Sequence, residues 1–177
     1  MLGFLRRALR RCPEDIKAKA YQMTVRPKLE YCSAIWDPYQ QIYIDAIEMV
    51  QRRAVRFVKN IRYHAYDDQP SITAALGELH WDMLKDRRTN DRVILFYKLI
   101  NKLIKIPDAY QPVPKTGRDP DSLRTHSKQY HHHTLAVDAY KHSFIPRTIV
   151  TWDDLDEHIA YASSLEELKE LLRRPQN

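Results

Sequence analysis

The strongest constraint in this sequence is an apolar period of three and four running from Ile47 to Ile61. Ile47, Val50, Ala54, Phe57, Val58 and Ile61 fall on one stripe of a helix, while Glu48, Arg52, Arg56 and Lys59 fall on the opposite side. A period of two is absent, and Gln51-Arg52-Arg53 interrupts any strand pattern, so a helix is predicted. Glu48 precedes Arg52 by four residues, the favourable order for a helical ion pair. Upstream, Asp37-Pro38 reads as an N-cap followed by proline at the first helical position, with Gln40 placed to complete a capping box. Trp36 and Tyr39 stand at the start of this helix, where they can clamp it to what precedes.

The rest of the chain is read around that helix. At 177 residues, with 44% apolar side chains, it can bury one sizeable core. Three glycines and no Asn-Gly or Asp-Gly pair disfavour a hairpin-rich all-β fold. The expected class is mainly α, a single compact helical domain with a proline-rich irregular excursion and at most a short β element. Residues 2–11 form a short helix in which Leu2, Leu5 and Leu9 are surrounded by Arg6, Arg7, Arg10 and Arg11. Cys12-Pro13 breaks it, and Pro13-Glu14-Asp15 starts a second helix that Pro27 stops or kinks. Leu29, Cys32, Ile35 and Trp36 suggest a further helical turn or two. Ser71 can cap a short helix through Leu76, with Gly77 as its C-cap. Trp81 to Ile104 reads as the longest helix, and Pro107 ends it. Residues 1–106 therefore make a helical basic core. Residues 107–142 are a proline-rich linker with a candidate strand at His133–Val137, and residues 143–177 hold C-terminal helices. Pro146 fits the start of one of these, and Ser164 with Glu167 forms a capping box for the last, Leu165 to Arg174.

Charge is unevenly distributed. Residues 1–62 hold 13 Lys/Arg against 6 Asp/Glu, whereas the remainder holds 16 against 17, so the net +6 belongs to the N-terminal third. Localised cationic surface is the footprint of a phosphate-backbone partner, and a merely solvated helix face is the competing account. Cys12 and Cys32 make no Cys-x-x-Cys spacing, so a reduced, intracellular protein, nuclear or cytoplasmic, is expected. No apolar run approaches the roughly 20 residues that cross a bilayer, and no membrane partner is expected. Residues 1–11 are basic and acid-free like a mitochondrial presequence, but no serine precedes Ser33, which argues against one.

Few residues carry chemistry. Tyr66-Asp67-Asp68 has Ala65 where a polymerase aspartate pair needs an aromatic residue, and its flanks are not strand-like, so it reads as a loop. His131-His132-His133 with His126 could converge on zinc only in part, since tandem histidines on extended chain alternate in direction. A solvated loop is expected there, and no metal, cofactor or catalytic residue is assigned. Arg52, Arg53, Arg56, Lys59 and Arg62 are the candidate nucleic-acid-binding residues, because guanidinium groups pair bidentately with phosphates. Tyr39, Tyr43 and Tyr63 can add stacking where they are exposed. Arg87-Arg88, flanked by Asp82, Asp86 and Asp91, is expected to pair internally. Trp36, Trp81 and Trp152 are expected in the core.

Several segments, in order, carry a resemblance. They are Leu2-Gly3-Phe4-Leu5-Arg6-Arg7, Arg26 to Tyr39 (RPKLEYCSAIWDPY) and Met49 to Val58 (MVQRRAVRFV). Leu79-His80-Trp81 with Arg87-Arg88, Tyr97-Lys98, and Ser143 to Ile149 (SFIPRTI) follow. Together they resemble the thumb and post-thumb C-terminal region of reverse transcriptases of non-LTR (LINE-type, jockey-like) retrotransposons. The resemblance implies a non-catalytic fragment of an RNA-directed DNA polymerase. Such a fragment would bind RNA or an RNA–DNA hybrid weakly and without sequence preference, beside a palm domain that performs nucleotidyl transfer. It also implies a truncated reading frame, since the chain starts inside the first motif. Trp152-Asp153-Asp154-Leu155-Asp156 departs from the Trp-Asn-x-Leu-Pro of the family. The alternatives are a helical protein–protein interaction module and a transposon relic without present function.

Overall fold

The computed structural model describes residues 1–61, 72–115, 126–131 and 137–173. The chain is mainly α-helical, as expected. Its helices are α1 (Leu2–Ala8), α2 (Glu14–Thr24), α3 (Arg26–Glu30), α4 (Ser33–Trp36), α5 (Gln41–Val58), α6 (Ile72–Glu78), α7 (Leu84–Ile100), α8 (Asp138–Lys141), α9 (Phe144–Asp153), α10 (Glu157–Ala160) and α11 (Leu165–Arg173). Among the described residues there is no sheet, and none of these helices is long and apolar enough to cross a membrane. Within this helical domain the chain gathers into two compact units. One comprises residues 1–33 and 37–88, the other residues 34–36 and 89–177.

The first unit is built on α5, which packs against α2 and α6, while α1 packs on α2. Leu5, Tyr21, Val25, Ala54, Val55, Phe57, Val58, Ala75, Leu76 and Trp81 form its core. Tyr21 and Trp81 stack with ring centroids 4.8 Å apart. The buried face of α5 is turned from the predicted stripe towards Ile44, Gln51 and Val55. The cause is polar. Gln51 is buried because its amide accepts a long 3.4 Å bond from the Tyr21 hydroxyl and donates a 2.8 Å bond to the Asp82 carbonyl. An apolar-only pattern cannot register that residue. Burial holds the Tyr21 phenol well above its ordinary titration range.

Helix ends explain several boundaries. The chain departs from helical conformation at Asp37, and α5 begins only at Gln41, with Gln40 as a backbone N-cap that makes no side-chain capping bond. The Asp37 carboxylate is engaged by Arg88 instead. Asn60, His80 and Lys102 all take left-handed backbone conformations, with φ of 54°, 52° and 55°. The amides of Ile61, Trp81 and Leu103 then reach back to the carbonyls of Arg56, Leu76 and Lys98 at 3.0, 3.0 and 2.9 Å. α5, α6 and α7 thus end in the same Schellman arrangement, with an apolar side chain following each left-handed residue. Gly77, the expected C-cap, lies inside α6, and His80 takes the left-handed place. α7 accordingly stops at Ile100, short of the expected Ile104, before Pro107 is reached.

In the second unit, Val93, Phe96 and Tyr97 of α7 meet Ile149 and Trp152 of α9, Ile159 of α10 and Leu168 and Leu172 of α11. The Trp152 indole donates to the Lys128 carbonyl at 2.9 Å, and the Tyr97 hydroxyl to the Ala162 carbonyl at 3.2 Å. Trp81 and Trp152 are buried as expected, whereas Trp36 is exposed at the end of α4. After Trp152, Asp156, with φ −59°, serves as N-cap of α10. Pro114 and Tyr130 make an isolated antiparallel bridge, flanked by bonds from Lys115 to Gln129 and from His131 to Val113, both 2.8 Å. The strand expected at His133–Val137, the Ser71 cap and Arg174 fall wholly or partly outside the described residues.

The capping box of α11 forms with one change of partner. The Glu167 amide donates to the Ser164 hydroxyl at 3.1 Å, but the Glu167 carboxylate accepts from the Ser163 hydroxyl and amide at 2.6 and 2.7 Å. The Ser163 side chain first, and its backbone second, hold the Glu167 carboxyl below the usual 4.5. A depressed folded value means that this stabilisation is complete above about pH 4.5 and is lost as pH falls through the lowered value. Ser163→Ala should therefore return the Glu167 titration midpoint, followed by NMR, towards 4.5; an unchanged midpoint would show that Ser163 is not the cause.

Gly77 has open space where a Cβ would stand and no left-handed backbone, so Gly77→Ala should raise stability by about 0.5–1 kcal/mol. His80→Gly should stabilise by about 1 kcal/mol by relieving the left-handed position. Thermal melts check both. A destabilised Gly77→Ala would place the left-handed C-cap back at Gly77.

Candidate nucleic-acid interface

The cations of the first unit divide into two sets by what they touch. One set is held by acids. Lys59 bridges Glu78 at 2.8 Å and Glu14 at 3.1 Å, and these bonds, Glu78 first, raise its titration. Arg87 grips Glu30 with two nitrogens, Nη2 at 3.1 Å. Arg88, fully buried, donates from Nε to Asp37 at 2.7 Å, with Glu48 4.0 Å from Nη2. The expectation of internal pairing for Arg87-Arg88 holds, with acids supplied by α3, the α4–α5 connection and α5. Glu48 also accepts from the amides of Leu84 and Lys85 at 3.4 and 2.6 Å, capping the start of α7 from another helix. It is therefore half-buried at a tertiary contact rather than on the solvated side with Arg52.

The other set lines an open cavity of about 740 Å³, formed by Arg6, Arg10, Arg53, Arg56, Phe57, Asn60 and Ile61. The arginines come from two places: Arg6 lies on α1 and Arg10 just beyond it, while Arg53 and Arg56 share the last turns of α5. Phe57 and Ile61 supply an apolar floor. Among the described residues no acid lies within ion-pairing distance of Arg6, Arg10 or Arg53. Behind the floor sits Lys17, only 1% exposed, donating to the Asn60 side chain at 2.6 Å and lying 5.6 Å from the centre of the Phe57 ring. Its hydrogen-bond partner is neutral, so its charge adds to the positive potential of the concavity.

The predicted residues are thus distributed unevenly. Arg53 and Arg56 line the cavity, and Arg52 is exposed on α5 outside it. Lys59 is engaged by Glu14 and Glu78, and Arg62 lies outside the described residues. Arg6 and Arg10 were not among the candidates. Their spacing of four marked them as neighbours on one helix, but nothing local indicated that the end of α1 meets the end of α5. Tyr39 and Tyr43 are exposed, while Tyr63 is outside the described residues.

Among the described residues no group of three or more His, Cys, Asp or Glu side chains could hold a metal ion. His126 is buried, with Nε2 2.8 Å from the Trp152 carbonyl, and His131 is exposed. His132, His133, Asp67 and Asp68 lie outside the described residues. The chain matches no protein-family model, no curated protein and no solved structure.

The buried Arg88–Asp37 pair gives a direct stability test. Arg88→Met leaves a buried carboxylate uncompensated and should cost about 3–5 kcal/mol. Adding Asp37→Leu should restore most of that loss in chemical denaturation. A single variant no worse than the double would show that Asp37 is not the group held by Arg88.

Proposed function

We propose that this chain is a non-catalytic nucleic-acid-binding element, the thumb and post-thumb portion of a LINE-type reverse transcriptase. In this role it holds the sugar–phosphate backbone of RNA or an RNA–DNA hybrid beside the palm of such a polymerase. The observation that carries the proposal is the arginine-lined cavity between α1 and α5, whose lining contains no acid among the described residues. Guanidinium groups grouped around a concavity suit phosphate oxygens, and they recognise backbone rather than base sequence. The family assignment is supported by the ordered motifs that resemble this region, among which Arg6 and Arg53 fall at cavity positions. An intracellular location, nuclear or cytoplasmic, follows from such a role.

Salt-dependent binding tests it. Each phosphate contact contributes about 0.7 to 0.9 units to the slope of log K against log salt, so Arg6→Ala with Arg53→Ala should flatten the slope by roughly 1.4–1.8 units. Melting temperature should stay nearly unchanged, because exposed cations without acid partners contribute little to folding. Lys59→Ala should do the reverse, lowering stability while leaving the slope intact. A parent protein without salt-dependent binding would leave the protein–protein module as the better account.

A further inference from the structure

The outer face of α5 continues beyond the arginine cavity, and its chemistry changes along its length. Ile42, Ala46, Met49, Arg53 and Arg56 succeed one another at steps of four and three, which aligns them on the helix side opposite buried Gln51 and Val55. Ile42 is 71% exposed and Met49 39%, so the N-terminal half of this ridge is apolar and open to solvent. Tyr43, 58% exposed, flanks it, and Tyr39 is exposed just before the helix. From Tyr43 to Arg53 the helix rises about 15 Å.

We propose that the face of α5 running from Tyr39 and Tyr43 to Arg53 takes single-stranded nucleic acid in preference to duplex, with unpaired bases against the tyrosines and backbone phosphates in the arginine cavity. It rests on that cavity being a phosphate site. Two features select the single strand. A stacking platform of exposed tyrosine with flanking Ile42 and Met49 is useful only to bases whose faces are free, and duplex bases already stack on one another. The concavity, at about 740 Å³, is of small-ligand size and fits a short stretch of one backbone. Aromatic rings on one side and guanidinium groups on the other reproduce the division of labour used by single-strand binders, where stacking tolerates any base. The charge of the arginine end makes a nucleic-acid strand, rather than another apolar helix, the complementary occupant.

The test compares one fluorescent single-stranded RNA with its blunt-ended duplex, binding the full chain at one salt concentration. The single strand should bind at least about fivefold more tightly, since one stacked base is worth about 1–3 kcal/mol. Tyr43→Ala should remove about fivefold or more of the single-strand affinity while leaving duplex affinity and salt slope unchanged; Tyr43→Phe should retain it. Arg53→Ala should weaken both ligands and flatten both slopes. Equal binding of single strand and duplex, or a Tyr43→Ala variant that loses neither or both alike, overturns the single-strand preference while leaving phosphate binding in place. Absence of binding to either ligand overturns both.

Discussion

The first unit depends on one buried charge. Arg88 carries a guanidinium into a site with no solvent exposure, a transfer that costs several kcal/mol unless its charge is answered. Asp37 answers it at 2.7 Å, and Glu48 stands 4.0 Å away while also accepting the first amides of α7. One carboxylate thereby joins the middle of α5, the start of α7 and the buried cation. Asp37 meets Arg88, while α5 starts only at Gln41 with Gln40 as its N-cap.

That arrangement also decides where free positive charge remains. Five acids of this unit are drawn to structural cations: Glu30 to Arg87, Asp37 and Glu48 to Arg88, and Glu14 with Glu78 to Lys59. The cationic excess of the N-terminal third is therefore not spread evenly over the surface. Arg6, Arg10 and Arg53 come together where α1 and α5 end, with Lys17 behind Phe57. A net charge is a property of composition, but a site is made by where the opposite charges have gone.

This separates what the sequence made legible from what it did not. Helices followed from period, proline and capping chemistry, because those signals act over a turn or two; α2, α5, α9 and α11 lie close to their predicted spans. The errors occur where a distant group competes for a local one. Gln51 is absent from the predicted apolar stripe, yet Tyr21 and Asp82 supply partners that let it be buried. Asp37 looked like a cap until Arg88 claimed it, and Glu48 looked like a partner for Arg52 until the amides of α7 did so. His80 and Lys102 accept left-handed conformations that glycine would adopt more readily, so the expected Gly77 punctuation misplaced an end. For the candidate site, the half on α5 was legible from one helix, whereas the half on α1 needed a contact across more than forty residues of chain.

The remaining question is how a fold tolerates several guanidinium groups around one concavity. The helices that carry them are fixed for other reasons: α1 through Leu5, and α5 through Ala54, Val55 and Val58, all in one apolar core. Lys59, one residue beyond α5, ties that helix end to Glu14 and Glu78. The Schellman turn through Asn60 then places Ile61 in the cavity wall and gives buried Lys17 its neutral partner. Repulsion among exposed arginines is screened over about 8 Å at physiological ionic strength, so it weakens the unit only modestly. Apolar packing and the Lys59 bridges hold the backbone. A polyanion entering the cavity would meet arginines carried on a backbone already held in place, so little ordering of the backbone would remain to oppose binding.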